Sequence, residues 1–324
     1  MRIALPPTID PAAFAACDPA ARLVDLAGET MGTRWSVRLA APAGVDTAML
    51  QRLIVARLAG LVAEMSHWAS DSLLSRFNRS AAGTWTTLPA DFALVVARGL
   101  AVAEATSGAF DPAIGRVVDI WGFGPIATVS PPDDAAIAAA RAVSGWSRLS
   151  FSAAGAHLYQ PGGLALDLSG IAKGHAVDAV AGVLRDAGIT HALVEIGGEL
   201  VGLGIRPDGD PWWVDLENPP GVTLAPLRIA LHGLAVATSG DYRRGAHTLD
   251  PRTGRPIETG VVSVSVIAET ALAADAWATA LTVLGPVEGL RIANDHGIAA
   301  RLVTDSDGHV REYLTPALLR MLDD

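Results

Sequence analysis

Apolar and polar positions change period several times along this chain, and each change marks a predicted element. Residues 33–40 (Thr-Arg-Trp-Ser-Val-Arg-Leu-Ala) alternate, as a half-buried strand does. Leu50, Leu53, Ile54, Leu58, Leu61, Val62 and Met65 then recur at spacings of three and four, which puts them on one face of a helix over about 46–66. A second helix is predicted from Pro89 to Thr106, opened by the proline and stopped by Ser107-Gly108. Residues 108–125 hold four glycines and two prolines and read as a loop without a regular element.

Asp133 to Val143 reads as a short Ala-rich helix, and 146–168 as short strands with turns at Gly155 and Pro161-Gly162-Gly163. A strand through Leu166-Asp167-Leu168 is expected to deliver the chain to a helix that opens at Gly170 and runs to Gly188, a C-cap. Short β-runs follow at Ala192–Ile196, Glu199–Ile205, Trp212–Leu216, Leu227–Leu231 and Val262–Ile267. The remainder reads as a helix over about Thr270–Leu284, another over 286–296, strands near 299–304 and 309–314, and a last short helix. No repeat, low-complexity block or linker interrupts this order. The pattern therefore predicts a mixed α+β architecture in one large domain over 28–324, with 1–27 as a loosely ordered N-terminal extension.

Composition narrows the function classes. Half of the 324 residues are hydrophobic and 18% are charged, a globular rather than a disordered profile. The formal charge of −10 opposes nonspecific binding to nucleic acid or anionic membranes but leaves room for a local basic pocket. Cys17 is the sole cysteine, so no intrachain disulfide exists. Phe14-Ala15-Ala16-Cys17 looks faintly like a lipoprotein cleavage box, yet Asp10 and three prolines in residues 1–16 leave no continuous apolar export segment. No uninterrupted run approaches the ~18 apolar residues of a membrane span, and the chain reads as soluble.

Candidate chemistry concentrates in five segments. The first is Met31-Gly32-Thr33, by itself a turn. The second runs Ser66-His67-Trp68 through Asp71, Ser75, Arg76, Phe77 and Asn78, where a loop after the first helix can present polar groups. The third joins Ser107-Gly108-Ala109-Phe110-Asp111-Pro112 to Trp121-Gly122-Phe123-Gly124-Pro125. Glycines beside rings suit a backbone approached by a flat ligand, and packing alone could also account for them. The fourth, Leu166 to His175, brings a Gly-flanked turn to a helix start, where N–H groups, the helix dipole and Lys173 would favour phosphate; an ordinary strand-to-helix turn has the same pattern. Nearby Glu195-Ile196-Gly197-Gly198-Glu199 reads as a strand-to-strand turn.

The fifth segment spans Thr238-Ser239-Gly240-Asp241-Tyr242-Arg243, His247-Thr248-Leu249-Asp250-Pro251-Arg252-Thr253-Gly254 and Ala274-Asp275-Ala276-Trp277-Ala278-Thr279. Asp275 and Thr279 lie four apart on a predicted helix and share a face. With backbone carbonyls, phosphate oxygens and water they would suit Mg²⁺, whereas Asp275 alone would also suit a helix dipole.

In order and type, these segments resemble the signature blocks of the flavin transferase (ApbE) family over roughly residues 28–285. Gly-Ala-Phe-Asp-Pro, Trp-Gly-Phe-Gly-Pro, Gly-Ile-Ala-Lys-Gly, Thr-Ser-Gly-Asp-Tyr-Arg, His-x-x-Asp-Pro-x-Thr-Gly and Ala-Asp-Ala-x-x-Thr carry the resemblance. It implies an ApbE-type α+β domain of short strands with flanking helices. It also implies a Mg²⁺-dependent FAD:protein FMN transferase, which uses FAD as substrate, moves FMN to a Ser/Thr hydroxyl in the flavinylation motif of an acceptor flavoprotein subunit, and releases AMP. By matching motif, FAD contacts fall on Met31, Trp68, Ala109, Phe110, Asp111, Ser169, Lys173, His175 and His247. Metal ligands fall on the Ala172 carbonyl, Asp275 and Thr279, with Asp275 also catalytic and His247 the candidate base. Family members are often exported lipoproteins, a feature the N-terminal segment does not display here.

Three positions depart from the family pattern: Leu73 where Glu is common, Asp119 where Asn is frequent, and His175 where Tyr is usual. A Rossmann reading fails because Gly202-Leu203-Gly204 is followed by Ile-Arg-Pro. An FAD pyrophosphatase releasing FMN and AMP, and a non-enzymatic FAD-binding protein, remain as alternatives within the same resemblance.

Overall fold

The computed structural model describes residues 1–128, 130–240, 247–306 and 308–322. Its largest element is an eight-stranded antiparallel sheet: β1 (Arg22–Thr30), β2 (Thr33–Ala41), β3 (Ala192–Ile196), β4 (Glu199–Leu203), β5 (Ala235–Ser239), β6 (Val261–Ala268), β7 (Ala299–Ser306) and β8 (His309–Leu314). Neighbours in the sheet are neighbours in this chain order. Every pairing is antiparallel, so the helices and smaller sheets are insertions into one long meander.

The four longest helices are α1 (Thr47–Met65), α2 (Ala90–Ala105), α3 (Ala172–Asp186) and α4 (Ala271–Asp295). Asp46 caps α1 by accepting from the Met49 N–H, and Leu50, Ile54, Leu58, Leu61 and Met65 form its buried stripe. Val194, Val201 and Ala235 of the sheet share a core with that stripe and with Ala176, Val177 and Val180 of α3. On the opposite face, Val236 and Ile267 pack with Trp212, Leu227, Ile229 and Leu231 of a three-stranded sheet built from Arg2–Ala4, Leu227–Leu231 and Trp212–Leu216. The period-two alternation of the central strands thus sends Val201 and Ala235 to one core and Val236 and Ile267 to another.

Most predicted elements occur where the periodicity places them. At Gly285 the backbone is non-helical, with φ 74°, which kinks α4 where the sequence divides it before Pro286. Other expectations are corrected. Residues 108–125 are not wholly irregular: Gly115–Trp121 is a helix ending on Gly122 at φ 73°. Its first residue must be glycine, since a Cβ on Gly115 would come within 2.8 Å of the Ala165 and Leu166 carbonyl oxygens. Leu166-Asp167-Leu168 is not a strand. The segment is held by the Asn78 amide, which accepts from the Leu166 N–H at 2.8 Å and donates to its carbonyl at 2.9 Å. The first 27 residues contain most of β1 and the strand Arg2–Ala4, which pairs in parallel with Leu227–Leu231 and buries Ala4 completely. Arg2 also pairs with Glu312 at 2.6 Å. Among the described residues, no helix is long and apolar enough to cross a membrane.

Candidate functional site

The fourth and fifth segments meet where the N-terminal turn of α3 packs against α4. Gly174 of α3 donates its N–H to Asp275 Oδ2 at 2.9 Å. The two helices touch there because position 174 lacks a side chain: a Cβ would run into the Ala271 carbonyl oxygen and lie 2.8 Å from Asp275 Cβ. One turn further along α4, Thr279 Oγ1 lies where a Cβ on Gly170 would come within 2.8 Å of it, and 3.3 Å from Ser239 Oγ at the end of β5. Asp275 and Thr279 therefore share a helical face, and that face is turned to the segment carrying Ala172.

The helix start differs from its sequence-based reading in one respect. Of the N–H groups at this helix start, expected to favour phosphate, that of Gly174 is taken by the carboxylate of Asp275. The dipole of α3 thus favours the ionised form of Asp275. Burial pushes this carboxyl up, while the charge of Lys173 and the Gly174 hydrogen bond pull it down. Lys173 Nζ is ion-paired with Glu199 Oε1, at the first residue of β4. Burial, and then the charge of Asp275, push Glu199 up to about 7 against the pull of Lys173.

The second and third segments are tied to the loop that precedes α3. Asp167 accepts from the Ser169 N–H at 2.7 Å and lies 3.7 Å from His67 Nδ1, while its own N–H donates to the Pro112 carbonyl at 3.0 Å. Segments two, three and four are thereby joined around one loop. Asp111 is buried and accepts from the Ala113 N–H at 2.7 Å and the Trp146 N–H at 3.0 Å; burial lifts its pKa to about 6. Ala109 and Phe110 are buried beside it, and Ser169 is exposed. Trp68 is 63% exposed and meets His67 at a ring-centroid distance of 5.2 Å. An indole left in water beside a polar loop has a face available for stacking.

Met31 sits at the β1–β2 turn with φ 50° and packs half-buried against the main core. The turn reaches the next strands: a Cβ on Gly197 would come within 2.9 Å of Thr33, and the Gly197 N–H donates to the Arg34 carbonyl. His247 is half-buried and precedes a small hairpin, Leu249–Asp250 paired with Arg255–Pro256, in which the Gly254 N–H donates to the Asp250 carbonyl at 2.7 Å. Trp121 Nε1 donates to the Gly254 carbonyl at 2.8 Å, which joins the third and fifth segments. Asp241, Tyr242 and Arg243 of the fifth segment lie outside the described residues.

His175 is turned away from the Asp275 face. Its Nε2 lies 2.9 Å from Asp91 Oδ1, and Asp91 is also held by both terminal nitrogens of Arg57 at 2.7 Å. These three side chains line a cavity of about 560 Å³ with Asp178 and Glu269. Two participants escape the sequence reading. Asp178 accepts from the Ala271 and Leu272 N–H groups at 2.9 Å each and so fixes the start of α4. Its signal is a lone carboxylate within the apolar run Ala176-Val177-Asp178-Ala179-Val180. Glu199 lies where a strand-to-strand turn is expected to lead into the β-run Glu199–Ile205, and nothing in Gly197-Gly198-Glu199 reveals that its side chain would be buried.

Among the described residues there is no cluster of three or more His, Cys, Asp or Glu side chains placed to hold a metal. The donor set expected here needs none, because it consists of one carboxylate, one hydroxyl and one carbonyl. Its chemistry fits a hard cation: the nearby donors are oxygens, and two buried carboxylates, Asp275 and Glu199, share the charge of Lys173.

The comparisons agree with this architecture. An ApbE family model matches residues 31–302. An FAD:protein FMN transferase of Klebsiella pneumoniae (strain 342) is 36% identical over 314 residues, covering 92% of this chain and 89% of that protein. A relative of the same description from Vibrio cholerae is also 36% identical, covering 93% of each. Among solved structures, the flavin transferase ApbE from Vibrio cholerae superposes with a TM-score of 0.87 at 35% identity, covering 93% of this chain and 99% of that one. The apo flavinyl transferase ApbE of Pseudomonas stutzeri gives 0.87 at 36% identity, with 93% and 97% covered. With a family match across most of its length and relatives of this similarity, the chain belongs to the ApbE family.

Proposed function

We propose that this protein is an FAD:protein FMN transferase whose reaction centre lies between the first turn of α3 and the Asp275–Thr279 face of α4. The observation that carries this reading is the contact of Gly174 with Asp275, which brings the fourth and fifth segments into one site. The Ala172 carbonyl, the Asp275 carboxylate and the Thr279 hydroxyl would hold Mg²⁺. Bound there, the cation would supply charge neutralisation at the FAD pyrophosphate and on the departing AMP.

The chain's own residues account for the rest. The exposed Trp68 ring supplies a stacking surface for the flavin, and the buried Ala109-Phe110-Asp111 run a rigid backbone against it. Lys173 provides positive charge beside the pyrophosphate. An acceptor Ser or Thr hydroxyl oxygen bonds to the FMN phosphorus, the phosphorus–oxygen bond to AMP breaks, and the hydroxyl proton passes to His247. Imidazole suits that step because its ordinary pKa lies near neutrality. Positioning and charge neutralisation supply most of the acceleration in chemistry of this kind.

The deciding experiment incubates the protein with FAD, Mg²⁺ and an acceptor carrying a Ser/Thr flavinylation motif. Flavin fluorescence that stays on the acceptor through denaturation is the expected result. Free FMN with an unlabelled acceptor identifies a pyrophosphatase instead, and bound FAD without turnover identifies a binding protein.

A further inference from the structure

Glu199 is a buried charged group that the reaction outlined above leaves unused. It is 2% exposed at the first residue of β4, where the Gly197-Gly198 turn feeds it towards α3. Oε1 pairs with Lys173, but Oε2 is buried and has no hydrogen-bond partner among the described residues. A carboxylate oxygen removed from water and left unpaired is costly to bury. Such an atom calls for a partner, an ion or a water that satisfies it. Lys173 and Gly174 are consecutive in α3, with the ammonium of the first held by Glu199 and the N–H of the second by Asp275. The two carboxylates thus flank the same helical turn, and Lys173 is the cation shown beside them.

Resting on the assignment of the cation site to Asp275 and Thr279, we propose that Glu199 is a second acidic residue of that site. Its Oε2 engages the divalent cation or a water bound to it, and Lys173 serves as an internal cation that partly offsets the two carboxylates before the metal arrives. This accounts for the unpaired oxygen, for the burial of two carboxylates beside one lysine, and for an acidic side chain placed directly after two glycines.

Mn²⁺ binding to the purified full chain, read by electron paramagnetic resonance with and without FAD, tests the proposal independently of turnover. Glu199→Gln keeps the side-chain shape and is expected to weaken Mn²⁺ affinity by roughly 10- to 100-fold, the range seen when groups supporting a metal's ligands are removed. Lys173→Met, which removes the competing ammonium, is expected to tighten Mn²⁺ binding and keeps the proposal testable if the glutamine variant does not fold. Unchanged affinity in Glu199→Gln, or weaker binding in Lys173→Met, overturns it. Asp275→Asn separates the two levels of inference: if it loses Mn²⁺ while Glu199→Gln does not, the cation site stands and only the role of Glu199 fails. A wild-type protein that binds no Mn²⁺ under either condition overturns both.

Discussion

Asp275 accepts the backbone N–H of Gly174 across the α3–α4 contact, so one carboxylate both closes the helix packing and faces the proposed cation site. Its burial would ordinarily favour the protonated form, and the dipole of α3 together with Lys173 works against that. Asp275→Asn retains an oxygen for Gly174 and removes the charge. We expect a folded variant whose flavin transfer no longer responds to Mg²⁺, measured by acceptor fluorescence across a magnesium titration. An unchanged magnesium response rejects the assignment.

Gly174→Ala tests the packing rather than the charge. The added methyl would meet the Ala271 carbonyl and Asp275 Cβ, so the helices must separate. Overpacking of this kind costs about 1–3 kcal/mol, which urea denaturation would resolve. FMN transfer should fall as well, since the same shift displaces Asp275. A variant of native stability and full activity would show that the contact is looser than described.

Asp178 supports the site from outside it. Replacing it by Ala leaves the Ala271 and Leu272 N–H groups without their acceptor at the start of α4. Leaving such donors unsatisfied costs about 1–3 kcal/mol, and a lower denaturation midpoint with an unaltered slope is the expected result. Asp178 is placed in neither the proposed metal set nor the flavin contacts, so residual transfer should persist at temperatures well below unfolding.

Trp68→Ala should separate binding from folding. Because the ring is 63% exposed, its removal is expected to change stability by less than about 0.5 kcal/mol. If the indole stacks on the flavin, losing about 0.5–1.5 kcal/mol of aromatic interaction raises the apparent FAD constant roughly 2- to 12-fold. Fluorescence titration of FAD measures it, and an unaltered constant removes Trp68 from the contact set.

The pH dependence of stability carries a signature from Asp111. Burial raises its folded pKa to about 6, above an ordinary unfolded value of about 3.9. The folded state therefore binds this proton more tightly. The resulting stabilisation is fully present below about pH 4 and is lost as pH rises through about 6, a change of roughly 2–3 kcal/mol. Asp111→Asn cannot titrate, so the stability gap should move in favour of wild type as pH falls from 7 to 4. Parallel denaturation curves at both pH values would give a constant gap and reject the buried-proton account.

What the sequence determined by itself was local. The spacing of Leu50, Ile54, Leu58, Leu61 and Met65 specifies the buried stripe of α1 because helical side chains three and four apart share a face, and the same rule puts Asp275 above Thr279. The order of the short polar blocks indicated the family before any contact was known. Tertiary structure decided what depends on neighbours distant in the chain. Leu166 looks like part of a strand by composition but is held by the amide of Asn78, 88 residues earlier, and Gly115 starts a helix because of the carbonyls packed against it. Asp275, rather than a ligand, takes the Gly174 N–H because the two helices approach without an intervening side chain. His175 is drawn to Asp91, which Arg57 also holds, and Glu199 is buried against Lys173, because the fold brings these distant partners together. Side-chain period fixes which face a residue occupies, but burial and partner choice are set by what the fold brings to that face.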